Sequence, residues 1–387
     1  MRRKALSRRN FLRNMTLGTC GAAIHNALNP GFAVQAFAQS HSRAVIDGAH
    51  LFVINLAGGC SYNIAPIYAS AWRDRNPTIS YGPGESLPLA SGSDQGFHPS
   101  LSYFKTLFDN GELALMNEVA FSQRASRSHD VASQMWMTGS IDPNGKSGVL
   151  NALACRVGGS GLIKGMSFAG ADPIVEGGCA EMRKLEGLSS LQGQQLQYSD
   201  DETEWLHLNR TNLDVQSSAA PNQTRTYVKN AIGNMDASAQ QIQDTLAGNN
   251  LPNVGVNPPN GGFGTDIRDA MRVLQASDIL GTKIFYLETG GFDTHSNERN
   301  SLPGRLAPLN QGVQYIAEIS KALGLWDRTI IMVFSEFART FENGSNGTDH
   351  GEVAPLMIMG GRVNGRQVNP APSATKILSS GSFMRNP

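Results

Sequence analysis

The sequence is poor in cysteine, in net charge and in long apolar runs. It has four cysteines among 387 residues and no C-x-x-C pair, so neither a structural zinc site built on cysteine nor a dithiol redox motif is expected. Lysine plus arginine equals aspartate plus glutamate, at 32 each. The chain therefore has no net positive charge that would attract a polyanion, and we expect no nucleic-acid partner.

The first 38 residues have the pattern of an export signal. Ser7-Arg8-Arg9-Asn10-Phe11-Leu12-Arg13 resembles the twin-arginine address, which a receptor reads. The stretch from Met15 to Ala38 is too polar for a stable membrane span, which needs about 20 mostly apolar residues. Ala36-Phe37-Ala38 fits a signal-peptidase site, which predicts cleavage before Gln39. A basic helix belonging to the fold, or lipidation at Cys20, would be the alternatives.

The predicted destination is the periplasm or the cell exterior. The twin-arginine translocase and signal peptidase are the expected partners during export, and no membrane span is expected in the mature chain. This route carries folded proteins, often with a metal or cofactor already bound. Cys60, Cys155 and Cys179 remain after cleavage, and three cysteines allow at most one internal disulfide.

Alternating helices and strands predict an α/β fold for residues 39–387. The continuous apolar run His50–Ala57 is typical of a strand buried on both faces. The alternation favours an open, mostly parallel sheet with helices on both faces. The other predicted strands are Glu112–Val119, Lys283–Glu288, Thr329–Phe334 and Ala354–Met359, and the predicted helices are His98–Phe108, Val131–Met137, Val149–Val157, Asp266–Leu280 and Leu309–Leu323.

The segment Ser189–Gly262 differs from the rest of the chain. Gln, Asn, Ser and Pro dominate it, with short helical patterns at Tyr227–Ile232 and Ala237–Leu246. We predict a polar helical insertion or cap with flexible joints rather than a second core.

Two Asp/His pairs follow predicted strands near the C-terminus. Asp293 and His295 are two residues apart, so in extended backbone both side chains point the same way. A carboxylate oxygen and an imidazole nitrogen together form half of a shell for zinc, manganese or iron. Asp349-His350 repeats the pair, and Glu336 is placed for a bridging or further-ligand role. One such pair alone would more simply be a hydrogen-bonded loop, but two pairs among only eight histidines favour a divalent metal.

His129 is a further candidate metal ligand. It begins a predicted helix beside Arg124, Arg127 and Ser128, and a helix N-terminus of this kind also favours an anion such as phosphate or sulfate. A capping segment with solvated arginines explains the same residues equally well. His98 is expected to cap or pack its own helix.

Six motifs, together with the export signal, make the chain resemble a known family. They are Gly58-Gly59, His98-Pro99, Ser126–His129, Gly291–His295, Ser335–Thr340 and Gly347–Gly351. In this order they resemble the uncharacterised family 1501 of domains of unknown function, which is related to the alkaline phosphatase and sulfatase superfamily. The resemblance covers nearly the whole chain and implies a three-layer α/β/α sandwich with a metal-centred site. It would place Asp293 and His295 on one metal and Asp349 and His350 on another.

The chain departs from that superfamily after the Gly58-Gly59 turn. Where relatives keep a metal-bridging carboxylate, this chain has Cys60-Ser61-Tyr62-Asn63. Ser61 is the hydroxyl in the expected place and is the candidate nucleophile; alternatively it only closes a turn, with Asn63 as a weak oxygen ligand. No histidine follows His350, where phosphatase-like members use another. Relatives continue with more strand and helix after Met359, so we expect the chain to be either a fragment or a shortened variant.

The resemblance implies a metal-dependent hydrolase of phosphate or sulfate esters, with a small anionic ester as substrate. Two alternatives remain open. One is a catalytically degenerate relative that binds a ligand or partner in the periplasm, and the other is a structural role in an envelope assembly.

Overall fold

The structure is a computed structural model that describes residues 48–121, 126–142, 148–156, 163–169, 173–175, 182–184, 242–247 and 250–372. The predicted signal peptide, residues 1–38, and most of the predicted insertion lie outside these ranges. None of the helices within them has the length and apolar character that a membrane crossing requires.

The described residues form short and medium-length elements in alternation. The strands are β1 (His50–Leu56), β2 (Leu87–Pro88), β3 (Gly96–Phe97), β4 (Leu113–Val119), β5 (Gly165–Ser167), β6 (Met182–Lys184), β7 (Ile284–Thr289), β8 (Thr329–Phe334), β9 (Arg339–Glu342), β10 (Thr348–His350), β11 (Ala354–Met359) and β12 (Gln367–Val368). The α-helices are Ser70–Arg73, Ser102–Asp109, His129–Thr138, Val149–Ala154, 242–247, Gly262–Gln275, Ser277–Leu280, Glu298–Ser301 and Pro303–Ala322.

The central sheet has eight strands in the order β12-β4-β11-β8-β1-β7-β5-β6. β1 pairs in parallel with β7 on one side and with β8 on the other. β11 is antiparallel to both of its neighbours, β8 and β4, so the other seven strands share one direction. The prediction of a mostly parallel sheet is confirmed.

Both faces of this sheet are buried under helices. Phe52 and Ile54 of β1 belong to one apolar cluster, which includes residues of the helices Gly262–Gln275 and Pro303–Ala322. Leu51 and Val53 belong to a second cluster on the opposite face, with residues of His129–Thr138 and Val149–Ala154. Successive side chains of a strand point to opposite faces, so a continuous apolar run is what a strand between two helical layers requires. The architecture is the expected three-layer α/β/α arrangement.

The bounds of two helices differ from the predicted ones, and one hairpin was not predicted. The predicted helix Asp266–Leu280 is two helices, Gly262–Gln275 and Ser277–Leu280, because the backbone leaves helical geometry at Ala276. The predicted helix Leu309–Leu323 begins earlier, at Pro303, since proline suits the first helical turn. The hairpin of β9 and β10 was not predicted, because its short strands carry polar residues.

Part of the predicted insertion segment contacts the main core. Residues 242–247 form a helix, and Ile242 and Leu246 of that helix are buried in the same cluster as Phe52. The remainder of the insertion prediction falls on residues outside the described ranges.

His98 is buried in the turn that leads into the helix Ser102–Asp109, but it does not cap that helix, whose N-cap residue Leu101 has no side-chain cap hydrogen bond. Its Nδ1 accepts the backbone N–H of Ser100 at 3.0 Å, and its Nε2 lies 3.0 Å from the hydroxyl of Tyr81. Burial, aided by the charge of Arg299, lowers the pKa of His98 to about 4. His98 is therefore neutral and structural near neutral pH.

Candidate metal centre

The candidate site lies where the three central strands of the sheet end. β1 lies between β7 and β8, so the loops that follow these strands meet at one edge of the sheet. A Cβ at Gly58 would collide with the backbone nitrogen of Asp293, and Gly58 has a φ of +123°. A Cβ at Gly59, where φ is +96°, would lie 2.8 Å from Cδ of Arg339. Glycine at both positions therefore lets the β1 loop pack directly against the β7 loop and Arg339.

Three residues from separate parts of the chain direct donor atoms towards one another. One atom each from His129, Asp293 and His350 forms a set in which all atoms lie within 4.8 Å of one another. Nε2 of His350 lies 3.1 Å from Oδ1 of Asp293, and Nε2 of His129 lies 3.5 Å from its Oδ2. His295 adds a fourth donor, because its Nε2 lies 3.1 Å from both Asp293 Oδ1 and His350 Nε2.

Two of these imidazoles are held from behind by carboxylates. Nδ1 of His129 lies 2.8 Å from Oε1 of Glu336, and Nδ1 of His295 lies 3.0 Å from Oδ1 of Asp349. An ionised carboxylate only accepts hydrogen bonds, so each Nδ1 carries the proton. Nε2 of each ring then faces away from these carboxylates and towards Asp293, where it would offer its lone pair to a bound cation in place of a proton.

The third imidazole is fixed by the backbone. Nδ1 of His350 lies 2.6 Å from the carbonyl oxygen of Arg127, which also can only accept, so Nδ1 of His350 carries a proton and Nε2 is the nitrogen that faces Asp293. The ring of Phe337 is fully buried and stacks on His350, with centroids 4.6 Å apart. It also lies 4.8 Å from the ring of His129. The two rings are therefore held in place independently of any ligand.

The donor chemistry fits a divalent metal. Three imidazole lone pairs and one carboxylate facing each other repel unless a cation or additional protons lie among them. Imidazole nitrogen with carboxylate oxygen suits zinc, manganese or iron, and histidine ligands in metal sites normally donate their other N–H to an oxygen, as all three do here.

Asp293 is shared between this donor set and a buried cation. The Arg339 side chain is 0% exposed, and its Nη1 donates to Oδ1 of Asp293. Partial burial acts to raise the pKa of Asp293, but the hydrogen bond and charge of Arg339, helped by His295 and His350, hold that pKa below its ordinary value. Asp293 therefore carries an ionised carboxylate at neutral pH.

Glu336 and Asp349 stand behind the donor set rather than within it. Both were predicted to be ligands, but within the described residues the set of mutually close donors consists of His129, Asp293 and His350. Oε1 of Glu336 also accepts the backbone N–H of Gly58 at 2.8 Å, which ties it to the β1 loop. The structure brings Asp293 together with both His295 and His350, instead of dividing the four residues into two pairs.

Ser61 lies on the β1 loop but is hydrogen-bonded elsewhere. It is 6% exposed, and its hydroxyl donates to Oε1 of the buried Glu298 at 2.6 Å. Its Oγ also accepts the backbone N–H of Asn63 at 3.1 Å, which is the turn-closing contact weighed above. The Asn63 amide donates to the same carboxylate oxygen at 2.7 Å. The structure therefore places Ser61 and Asn63 on Glu298.

Glu298 gathers four donors from three loops. Besides Ser61 and Asn63, the hydroxyls of Thr294 and Thr348 donate to its Oε2 at 2.8 and 2.6 Å. Glu298 is 0% exposed, and these contacts satisfy the acceptor capacity that a buried carboxylate needs. This carboxylate links the β1, β7 and β10 segments beneath the site.

Cys60, next to Ser61, is a free buried thiol. Burial raises the pKa of this thiol, and the charges of Glu298 and Glu336 raise it further. Cys60 is therefore protonated and offers no thiolate to a metal. Cys155 is disulfide-bonded.

Two residues of the site were not given a role from the sequence. Arg339 belongs to the Ser335–Thr340 motif, and that motif was a usable signal. Glu298 lies in none of the motifs. A lone glutamate in a polar segment of the sequence cannot be told from a solvated one, so no signal pointed to it. The anion-binding alternative for His129 involves Arg124, which lies outside the described residues.

Comparisons with known proteins give a match to one family model over part of the chain and no activity. Residues 181–371 match the model of a family described as "Protein of unknown function (DUF1501)", a span that includes Asp293, His295, Arg339, Asp349 and His350. No curated protein matches the sequence. The crystal structure of a phosphonate monoester hydrolase from Agrobacterium radiobacter is similar at 13% identity and a TM-score of 0.37, with 85% of this chain and 72% of that chain covered. The family match covers just under half of the chain, and the family's description names no activity.

Proposed function

We propose that this chain is an exported metal-dependent hydrolase of phosphate or sulfate esters. The observation that carries the proposal is the convergence of the Nε2 atoms of three histidines on the Asp293 carboxylate, with each Nδ1 proton already donated to a fixed oxygen. His129, Asp293, His295 and His350 would hold a zinc, manganese or iron ion.

These four residues would hold a divalent ion whose Lewis-acid chemistry would serve to polarise a phosphoryl or sulfuryl oxygen of an ester and to lower the pKa of water or a hydroxyl beside it. The surrounding residues prepare the ligands for that role. Glu336 and Asp349 hold the protons of His129 and His295 on Nδ1, which increases the basicity of the opposite nitrogen. The exposure of Asp293 and His295, at 41% and 48% of their side chains, leaves the centre accessible to a small anionic ester.

The proposal that the chain is exported rests on the twin-arginine pattern of Ser7 to Arg13. The disulfide at Cys155 supports it, since disulfides persist mainly in oxidising compartments such as the periplasm. The twin-arginine translocase and signal peptidase remain the proposed partners for that step.

The second candidate is a periplasmic binding or envelope-assembly protein that holds metal without turnover. The contacts of Ser61 favour it, because the hydroxyl expected to act as nucleophile donates to Glu298. A hydrolase of this chain would then need water as its nucleophile.

Metal content tests the centre itself. The purified mature protein should contain a divalent metal, and both Asp293→Asn and His350→Ala should lose it during purification, because each removes a donor atom from the set. His98→Gln is a matched control, since His98 lies outside the cluster. Metal content that is unchanged in both ligand variants would contradict the proposed centre.

Turnover separates the two candidate functions. The metal-loaded protein should cleave nitrophenyl phosphate or nitrophenyl sulfate, and Asp293→Asn should abolish cleavage. Activity that survives Ser61→Ala would reject the serine as nucleophile and keep the hydrolase. Metal-loaded protein that cleaves neither ester would support the binding protein instead.

A further inference from the structure

The number of ions in the centre can be inferred from where the charged groups lie. Two Asp/His pairs in the sequence are compatible with two metal positions, but the structure commits Asp349 and Glu336 to the Nδ1 atoms of His295 and His129. The remaining strong donors converge on Asp293. They form one set rather than two.

The opposite side of Asp293 is occupied by Arg339. Its Nη1 donates to Asp293 Oδ1 and, at 3.0 Å, to the carbonyl oxygen of Gly58. Its Nε donates to the hydroxyl of Thr348 at 3.1 Å, and its Nη2 donates to the carbonyl oxygen of Thr348. A carboxylate, two carbonyls and a hydroxyl are the kinds of oxygen that hard cations bind, and here a guanidinium is bound by all four.

The surrounding chain is shaped to hold this side chain. Arg339 is fully buried, and Gly59 leaves the space through which its Cδ passes, as the 2.8 Å approach of a Cβ there shows. The Thr348 hydroxyl that accepts from Arg339 Nε donates in turn to Glu298. Arg339 therefore contacts the Asp293 carboxylate directly and is linked to the buried carboxylate of Glu298 through the Thr348 hydroxyl.

We propose that the Arg339 guanidinium takes the place of a second metal ion, so that this centre binds a single divalent ion per chain. The inference rests on the proposed function, because it presumes that the donor set around Asp293 binds metal. An arginine carries its charge at every accessible pH, so the second cation is permanent and cannot exchange. Arg339 is a positioning residue that acts on the metal through Asp293.

Counting ions in the wild-type protein tests the inference without any substitution. Metal-free protein, prepared with a chelator, is titrated with Co²⁺ and the bound ions are counted by native mass spectrometry. We expect one ion at saturation. Two ions would overturn the single-ion inference and leave the proposed centre standing, whereas none would overturn both.

Arg339 itself is tested through the visible spectrum of bound Co²⁺. Arg339→Ala should alter the spectrum, and guanidinium below its denaturing concentration should restore it, while sodium chloride at equal ionic strength should not. Arg339→Lys keeps the charge and is the variant to use if the alanine variant does not fold. It should also alter the spectrum, because one ammonium cannot contact Asp293, Gly58 and Thr348 together.

Arg305 provides a matched control. It is an exposed arginine beside Gly291 of the same β7 loop, so Arg305→Ala should leave the Co²⁺ spectrum unchanged and insensitive to guanidinium. An unaltered spectrum in both Arg339 variants would overturn the role assigned to Arg339.

Discussion

Removal of the Asp349 carboxylate distinguishes a ligand from a residue that orients one. Asp349 was expected to bind metal directly, but its Oδ1 lies 3.0 Å from Nδ1 of His295. Asn343 steadies the same oxygen from 3.3 Å, and the hydroxyl of Thr340 accepts the Asp349 backbone N–H at 2.9 Å. Asp349→Ala should therefore weaken metal binding through His295 alone.

The expected magnitude follows from that position. Loss of an oxygen that orients a ligating histidine weakens metal binding by about 10- to 100-fold, or about 1.4 to 2.7 kcal/mol. His350→Ala should cost more, because it removes a donor atom together with its contacts to Asp293. In the background of His295→Ala, the further effect of Asp349→Ala should be close to zero, since the two residues act as one unit.

The assay is competition of each variant with a chelator of known affinity, with stability followed in parallel by urea denaturation. Asp327→Asn, which lies just before β8 and so at the end of that strand opposite the site, and which pairs with Arg362, is a control that should bind metal as wild type does. Additive effects of Asp349→Ala and His295→Ala, or a loss as complete as that of His350→Ala, would show that Asp349 is a direct ligand and refute this reasoning.

Three further predictions concern stability and export. Glu298→Gln should lower the free energy of unfolding, measured by urea denaturation, by at least about 2 kcal/mol. Glutamine keeps only one of the two acceptor oxygens, so two buried donors lose their acceptor at a cost of about 1–3 kcal/mol each. Glu85→Gln, at an exposed position, is the control and should have little effect. Stability should fall as pH drops from about 6.5 towards 4, because His98 has a folded pKa of about 4 and the unfolded chain binds its proton first. A stability curve in which His98→Gln leaves this slope unchanged would contradict the assignment. Arg8→Lys with Arg9→Lys should leave unprocessed precursor in the cytoplasm, as fractionation and immunoblotting would show, and normal periplasmic accumulation would count against export by this route.

Much of the fold can be predicted from local patterns in the sequence. The run His50–Leu56 is buried on both faces, and only a strand between two helical layers accommodates seven such residues in succession. Thr329–Phe334 and Ala354–Met359 were predicted at their observed boundaries for the same reason. The hairpin of Arg339–Glu342 and Thr348–His350 was not, since its residues serve contacts with distant loops rather than a repeating apolar face.

The residue types of the site were also evident in the sequence. Asp293, His295 and His350 belong to motifs that follow strands, and the carboxyl ends of neighbouring parallel strands meet at one edge of a sheet. What the motifs could not give is which nitrogen faces which oxygen. Spacing along the chain places a side chain on a face, but proton positions depend on acceptors brought in from elsewhere.

Only the tertiary structure decided how the charges are shared. It assigned Asp349 to the back of His295, joined Asp293 to His350, and directed Ser61 to a buried glutamate 237 positions away. It also placed the guanidinium of Arg339 among oxygens from Asp293, Gly58 and Thr348. These contacts join residues far apart in sequence, and because electrostatic attraction depends on distance in space, no local pattern encodes them.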